Sequence, residues 1–142
     1  AFGFQLTFSG GSRIVYSGDT RPCDSVIDAA HECDLLVHEA TMSNDLPHEA
    51  LIRKHCTIDE AVGVGLQAKS RAMLLTHFSQ RYAKGALSLD PSKCEGTNLQ
   101  IAMGVDLMRF PLKDVGKVSA LASKMSALLP VDDDEEKEVA SL

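Results

Sequence analysis

The stretch "LLTHFSQRY", residues 74–82, decides how the fold is read. With Ala72 and Met73 in front of it, it completes a short apolar run that stops abruptly in polar, aromatic and basic residues. That is the pattern of a buried strand. His77 then projects from the strand's end rather than from its middle, and in open α/β sheets the strand ends are where ligands bind. Two other stretches stop in the same way: "RIVYSGDT" runs to Asp19 and "LLVHEAT" to His38 and Glu39, and after each of the three the chain continues into a helical segment. Strands lying side by side in one sheet would bring these ends to one edge, gathering two carboxylates and two histidines. His55 of "KHCT", two residues before a helix cap, could join them.

The rest of the chain alternates between strand and helix patterns without internal repeats. "FGFQLTF" and "RIVYSG" read as strands joined through "SGGS", a glycine-rich tight turn. Pro22 suits a helix's first turn, and "CDSVIDAAHEC" carries apolar residues at helical spacing. "DLPHEALIRKH" and "TIDEAVGVGLQAK" are helical, the second with Thr57 as N-cap and Glu60 three residues on, a capping box. After "AMLLTHF" come a loop rich in Lys, Ser, Pro and Gly, two short strands "LQIAMG" and "DLMRF", and a last helix over residues 112–129 that ends at Pro130.

Composition sets the outer bounds. A chain of 142 residues with 44% apolar content fits one globular domain able to build a core. No apolar stretch approaches the roughly 20 residues that span a bilayer, and no basic segment followed by an apolar run opens the chain, so neither membrane insertion nor a signal peptide is expected. The opening Ala1, set directly in strand-like sequence, suggests a fragment of a longer chain. The net charge of −6 argues against a generally basic nucleic-acid-binding surface, although much of it comes from "DDDEEKE" at residues 132–138. Residues 1–130 are therefore read as the folded unit and 131–142 as an acidic, disordered tail. Cys23, Cys33, Cys56 and Cys94 form no CxxC pair, which fits free thiols in a reducing, intracellular compartment.

Singly, each candidate has a bland explanation: Asp19 as a turn residue, His77 as a hydrogen-bonded structural histidine, Glu39 as a cap. Repetition at three consecutive strand ends points instead to metal-assisted hydrolysis. An aspartate can bridge two ions and a neutral imidazole is the commonest zinc ligand. Two ions about 3.5–4 Å apart can stabilise both oxygens of a phosphoryl displacement. A zinc site needs at least three protein ligands, so Asp19 and His77 alone are too few.

"YSGDTRPC", "LLVHEAT", "KHCTIDEA" and "LTHFSQRYAK" stand in an order and spacing that resembles the C-terminal half of tRNase Z, the metallo-β-lactamase-fold endoribonuclease that cleaves the 3′ trailer from precursor tRNA. "HFSQRYAK" and "MGVDLMRF" resemble the eukaryotic long form in particular. The resemblance implies an α/β fold, a four-layer αβ/βα sandwich, of which this chain would supply roughly the C-terminal half. It implies Asp19 as the carboxylate bridging two zincs, His77 as a ligand to one of them, and Glu39 with His55 as the pair that delivers a proton to the leaving 3′-oxygen. Arg81 would face phosphate, with Thr57 also on the substrate side. Cys56 stands where the family usually has Ser in a His-Ser-Thr loop.

The family's His-x-His-x-Asp-His motif is missing from these residues, as are the next zinc-ligand histidine and the arm that grips tRNA. The implied partners are precursor tRNA and the N-terminal half of the catalytic domain, with a homodimer as a further expectation and the nucleus or mitochondrion as the location. Two other readings stand beside this one: a non-catalytic remnant that binds RNA or a partner, and another β-lactamase-fold phosphodiesterase.

Overall fold

The computed structural model describes residues 1–79, 93, 95–104 and 106–120. Its elements are β1 (Phe4–Thr7), β2 (Arg13–Tyr16), α1 (Asp24–Ala29), β3 (Leu35–Glu39), α2 (Pro47–Arg53), α3 (Ile58–Gln67), β4 (Ala72–Thr76), β5 (Gln100–Met103) and a 3₁₀ helix, Leu112–Lys117. The five strands form one sheet in the order β1-β2-β3-β4-β5. β1 and β2 are an antiparallel hairpin and the remaining pairs are parallel. Parallel neighbours need crossover connections. Here α1 links β2 to β3, and α2 with α3 links β3 to β4.

One face of the sheet is closed. Val15, Leu36, Met73 and Ile101 stand in register across four strands and pack with Ala61, Val62 and Val64 of α3 and with Val26 and Ile27 of α1. The capping box expected at α3 is formed: the Thr57 hydroxyl accepts from the Glu60 amide at 3.2 Å and the Thr57 amide donates to Glu60 Oε2 at 2.9 Å. Gly65 allows the helix to lie against the sheet, since a Cβ there would meet Met73 Sδ at 2.7 Å.

Among the described residues, the opposite face is covered at one end, where Val115 and Val118 pack on Leu35, Ala72 and Ala102. Toward the hairpin it is bare. Phe4 pairs with Tyr16 and Leu6 with Ile14, so their side chains share that face, and Phe4, Leu6 and Tyr16 are 62%, 56% and 40% exposed. Phe2 and Phe8, which flank β1 at the same parity, are exposed as well.

The structure corrects several boundaries. Residues 106–110, expected to form a strand, lie in a turn followed by irregular backbone; Leu107 there takes a positive φ of 64°, which no ladder accommodates. α1 is shorter than its sequence pattern, with Cys23 as N-cap, so Pro22 precedes the helix rather than opening it. The last helix begins as a 3₁₀ turn containing Gly116, a weak helix former. Helical backbone follows at 118–120, and the rest of that segment, the acidic run and Cys94 lie outside the described residues.

Candidate metal and acid–base site

The C-terminal ends of β2, β3 and β4 do lie side by side. Gly18 turns the chain out of β2 at a φ of 64°, where an added Cβ would stand 2.5 Å from the Phe2 carbonyl oxygen. Only glycine fits, and Asp19 follows it past the strand's end. Glu39 is the last residue of β3, opposite Thr76 of β4. His77 comes next, with φ 61°, a left-handed conformation uncommon outside glycine and enriched in histidine. His55 arrives from the loop between α2 and α3. Its amide donates to the Ala50 carbonyl at 2.9 Å, and its own carbonyl accepts from Arg21 Nη1 at 2.6 Å. Arg21 also pairs with Glu60, and Met42 bridges to Thr57 in parallel fashion, so the two loops are tied together on both sides.

Glu39 organises this edge. Its Oε1 accepts from the Thr20 amide and from His55 Nδ1, both at 2.9 Å. Its Oε2 accepts from the Thr41 hydroxyl at 2.8 Å and from the Thr41 and Cys56 amides at 3.1 Å. Burial of this side chain, only 2% exposed, would by itself raise its pKa. The hydrogen bonds from Thr20, Cys56 and Thr41 outweigh burial and hold it below the ordinary value. Glu39 is thus a buried, ionised acceptor with every donor supplied from inside the chain.

Asp19 and His77 form the outer rim, each side chain 48% exposed, with His77 Nδ1 3.6 Å from Asp19 Oδ1. The His55 and His77 rings stand 5.4 Å apart between centroids. Among the described residues, Asp19, His55 and His77 offer ligand atoms that all lie within 4.8 Å of one another. The half-exposed Asp19 carboxylate and His77 imidazole suit a zinc ion with room for further ligands, while His55 Nδ1 is engaged by Glu39.

Four sequence candidates therefore meet: Asp19, Glu39, His55 and His77. His38 does not join them, a correction to the expected cluster. Alternation along β3 places it on the face of Leu36, fully buried. There its Nδ1 lies 2.7 Å from the Glu39 carbonyl oxygen, its Nε2 has no partner, and burial lowers its pKa. Thr57 is 3% exposed with its hydroxyl engaged in the capping box. Arg81 lies outside the described residues. Cys56 acts in the manner of a hydroxyl: its thiol, pushed up to about 12 by burial and by the nearby Glu39 and Glu60 charges, stays protonated and donates to the Thr20 carbonyl at 3.1 Å.

Sequence reasoning missed two members. Thr41, whose hydroxyl touches Glu39, His77 and His55, follows Glu39 by two residues and was open to suspicion on that ground. Arg21 carries no local signal, because its partners His55 and Glu60 are more than thirty positions away.

Carboxylate and imidazole groups gathered at the ends of parallel strands in a mixed sheet fit a β-lactamase-type fold. A family model described as the beta-lactamase superfamily domain matches residues 1–78, and the chain belongs to that family. Within it, the chain is 38% identical over 136 residues to the rat protein named zinc phosphodiesterase ELAC protein 2, covering 96% of this chain and 16% of that protein. It is 44% identical over 89 residues to the Drosophila melanogaster protein named mitochondrial ribonuclease Z, covering 59% of this chain and 12% of that one. A crystal structure of a long-form RNase Z from yeast superposes with a TM-score of 0.71 at 34% identity, covering 90% of this chain and 17% of its own. The chain thus spans between 12% and 17% of the length of these relatives. No helix among the described residues is long and apolar enough to cross a membrane.

Proposed function

We propose that these residues form one side of the active site of a zinc-dependent endoribonuclease that removes the 3′ trailer from precursor tRNA, as part of a longer chain. The observation that carries this reading is the contact between His55 Nδ1 and Glu39 Oε1 at 2.9 Å, set beside the Asp19 and His77 donors. Glu39 fixes the His55 ring with Nδ1 as donor. Nε2 is then the atom from which a proton passes to a leaving 3′-oxygen. Asp19 and His77 would hold zinc, Asp19 as carboxylate ligand and His77 as imidazole ligand. When bound, zinc supplies Lewis acidity and an activated water for phosphodiester hydrolysis. Arg81 is assigned to the scissile phosphate, and Thr57 serves the substrate side by fixing the loop that carries His55.

Support for the substrate comes from the relatives named ribonuclease Z and zinc phosphodiesterase. Support for a mitochondrial location comes from the name of the fly protein alone; a nuclear pool is part of the same proposal. The bare β1–β2 face is assigned to an N-terminal half of the sandwich, with a second copy of the chain taking its place when that half is missing.

The test is made in the full-length enzyme carrying these residues. Asp19→Ala and His77→Ala are each expected to lower zinc content and to nearly abolish cleavage of a precursor tRNA. Normal zinc stoichiometry in both variants would overturn the assignment.

A further inference from the structure

We infer that Thr41 is a positioning residue whose single hydroxyl joins the metal-binding half of the site to its acid–base half and sets the tautomer of His77. The inference rests on the function proposed above and adds to it a residue with no role there.

The Thr41 hydroxyl lies 2.8 Å from Glu39 Oε2, 2.8 Å from His77 Nδ1 and 3.3 Å from His55 Nδ1. A hydroxyl has one proton to give and two lone pairs. An ionised carboxylate can only accept, so the Thr41 proton goes to Glu39. The shorter of the two imidazole contacts is then satisfied only if His77 Nδ1 carries a hydrogen and donates it to Thr41. In neutral His77 this leaves the Nε2 lone pair free, the atom a metal ion needs. His55 Nδ1 has the nearer Glu39 Oε1, at 2.9 Å, as its acceptor, so its longer contact with Thr41 asks for no second proton. A ligand histidine that donates its other ring N–H to a fixed oxygen acceptor is the arrangement that orients the ring and raises its basicity.

The backbone holds the hydroxyl where it is. Thr41 follows the end of β3, its amide donates to Glu39 Oε2 at 3.1 Å and its carbonyl accepts from the Ser79 amide at 3.1 Å. The segment is thus pinned on both sides of the ring it orients, and Thr41 itself is 7% exposed. One oxygen therefore couples the charge on Glu39 to the orientation of His77.

The test uses Thr41→Val and Thr41→Ser in the full-length enzyme, with His77→Ala as the reference. Zinc affinity is read by competition with a chromophoric chelator, and single-turnover cleavage is followed separately. Valine keeps the shape and removes the hydroxyl, so Thr41→Val should lower zinc affinity about 10- to 100-fold, the range for losing a group that orients a ligand. Cleavage should remain slow even when zinc is saturating, because Glu39 has also lost a donor. Thr41→Ser should restore both. Wild-type zinc affinity in Thr41→Val, alongside zinc loss in His77→Ala, would overturn the role of Thr41 and leave the metal site standing. Zinc loss in Thr41→Ser equal to that in Thr41→Val would also overturn it, since the methyl group rather than the hydroxyl would then matter. Unchanged zinc affinity in His77→Ala would instead refute the metal assignment on which the inference rests.

Discussion

The edge that carries Glu39 and the face that carries Phe4 belong to the same sheet, yet one is closed and the other open. At the edge, every donor that Glu39 needs comes from this chain: three backbone amides and two side chains converge on one carboxylate. On the β1–β2 face, Phe4, Leu6 and Tyr16 present apolar surface to water, and no described residue covers it. A patch of that kind on a soluble protein marks a surface that another part covers. The difference teaches that the Glu39–His55 contact is built locally, from the loops that carry Thr20, Thr41 and Cys56. Under the proposed function, core closure and the full metal shell would be supplied from outside the described residues.

The sharpest way to break that contrast is to test the 142 residues alone. With Asp19 and His77 as its two assigned zinc ligands, the chain should not assemble a dinuclear site, should not cleave precursor tRNA, and should self-associate through its bare face. Equilibrium dialysis with zinc, a cleavage assay and sedimentation decide this. Two tightly held zincs per chain, or cleavage by a monomer, would show that the chain completes the site without help. Lysine at Phe4 and Leu6 should shift the chain toward monomer without restoring activity.

A smaller effect should appear at low pH, on the closed side. His38 and Glu39 both have folded-state pKa values lowered from their ordinary 6.5 and 4.5. The unfolded chain therefore binds protons that the folded chain does not, and stability rises with pH across each window. The His38 contribution is complete above about 6.5 and is lost as pH falls through its lower folded value; the Glu39 contribution behaves in the same way below about 4.5. Urea midpoints measured from pH 8 to pH 4 in the full-length protein should fall first in the His38 window. In His38→Leu that first step should vanish, and its persistence would show that another group is responsible.

The smallest effect belongs to Cys56. Because its thiol already donates as a hydroxyl would, Cys56→Ser should change stability by less than about 1 kcal/mol, while Cys56→Ala leaves the Thr20 carbonyl unpaired and should cost about 1–3 kcal/mol. Thermal unfolding of the two variants separates them, and equal losses would mean that the Thr20 contact carries no weight.

Much of this was legible in the sequence. Apolar runs broken by Asp19, Glu39 and His77 place three of the clustered side chains at strand ends, and Thr57 with Glu60 announces where α3 begins. His38 was misplaced because strand ends were counted without regard to the two-residue alternation that sends neighbours to opposite faces. The segment 106–110 looked like a strand because short apolar runs are ambiguous, and nothing local foretells the positive φ at Leu107. Thr41 and Arg21 act through partners distant in sequence, which appear only once the loops are folded together.

The central claim is that Glu39 and His55 act as one proton-delivering unit beside the metal rather than as ligands to it. The direct measurement is single-turnover cleavage by zinc-saturated full-length Glu39→Ala, His55→Ala and the double variant, with metal content determined for each. Each single change should slow cleavage about 10²- to 10⁴-fold with zinc retained, and the double variant should be little slower than either single one. Multiplicative losses, or zinc lost from His55→Ala, would contradict it.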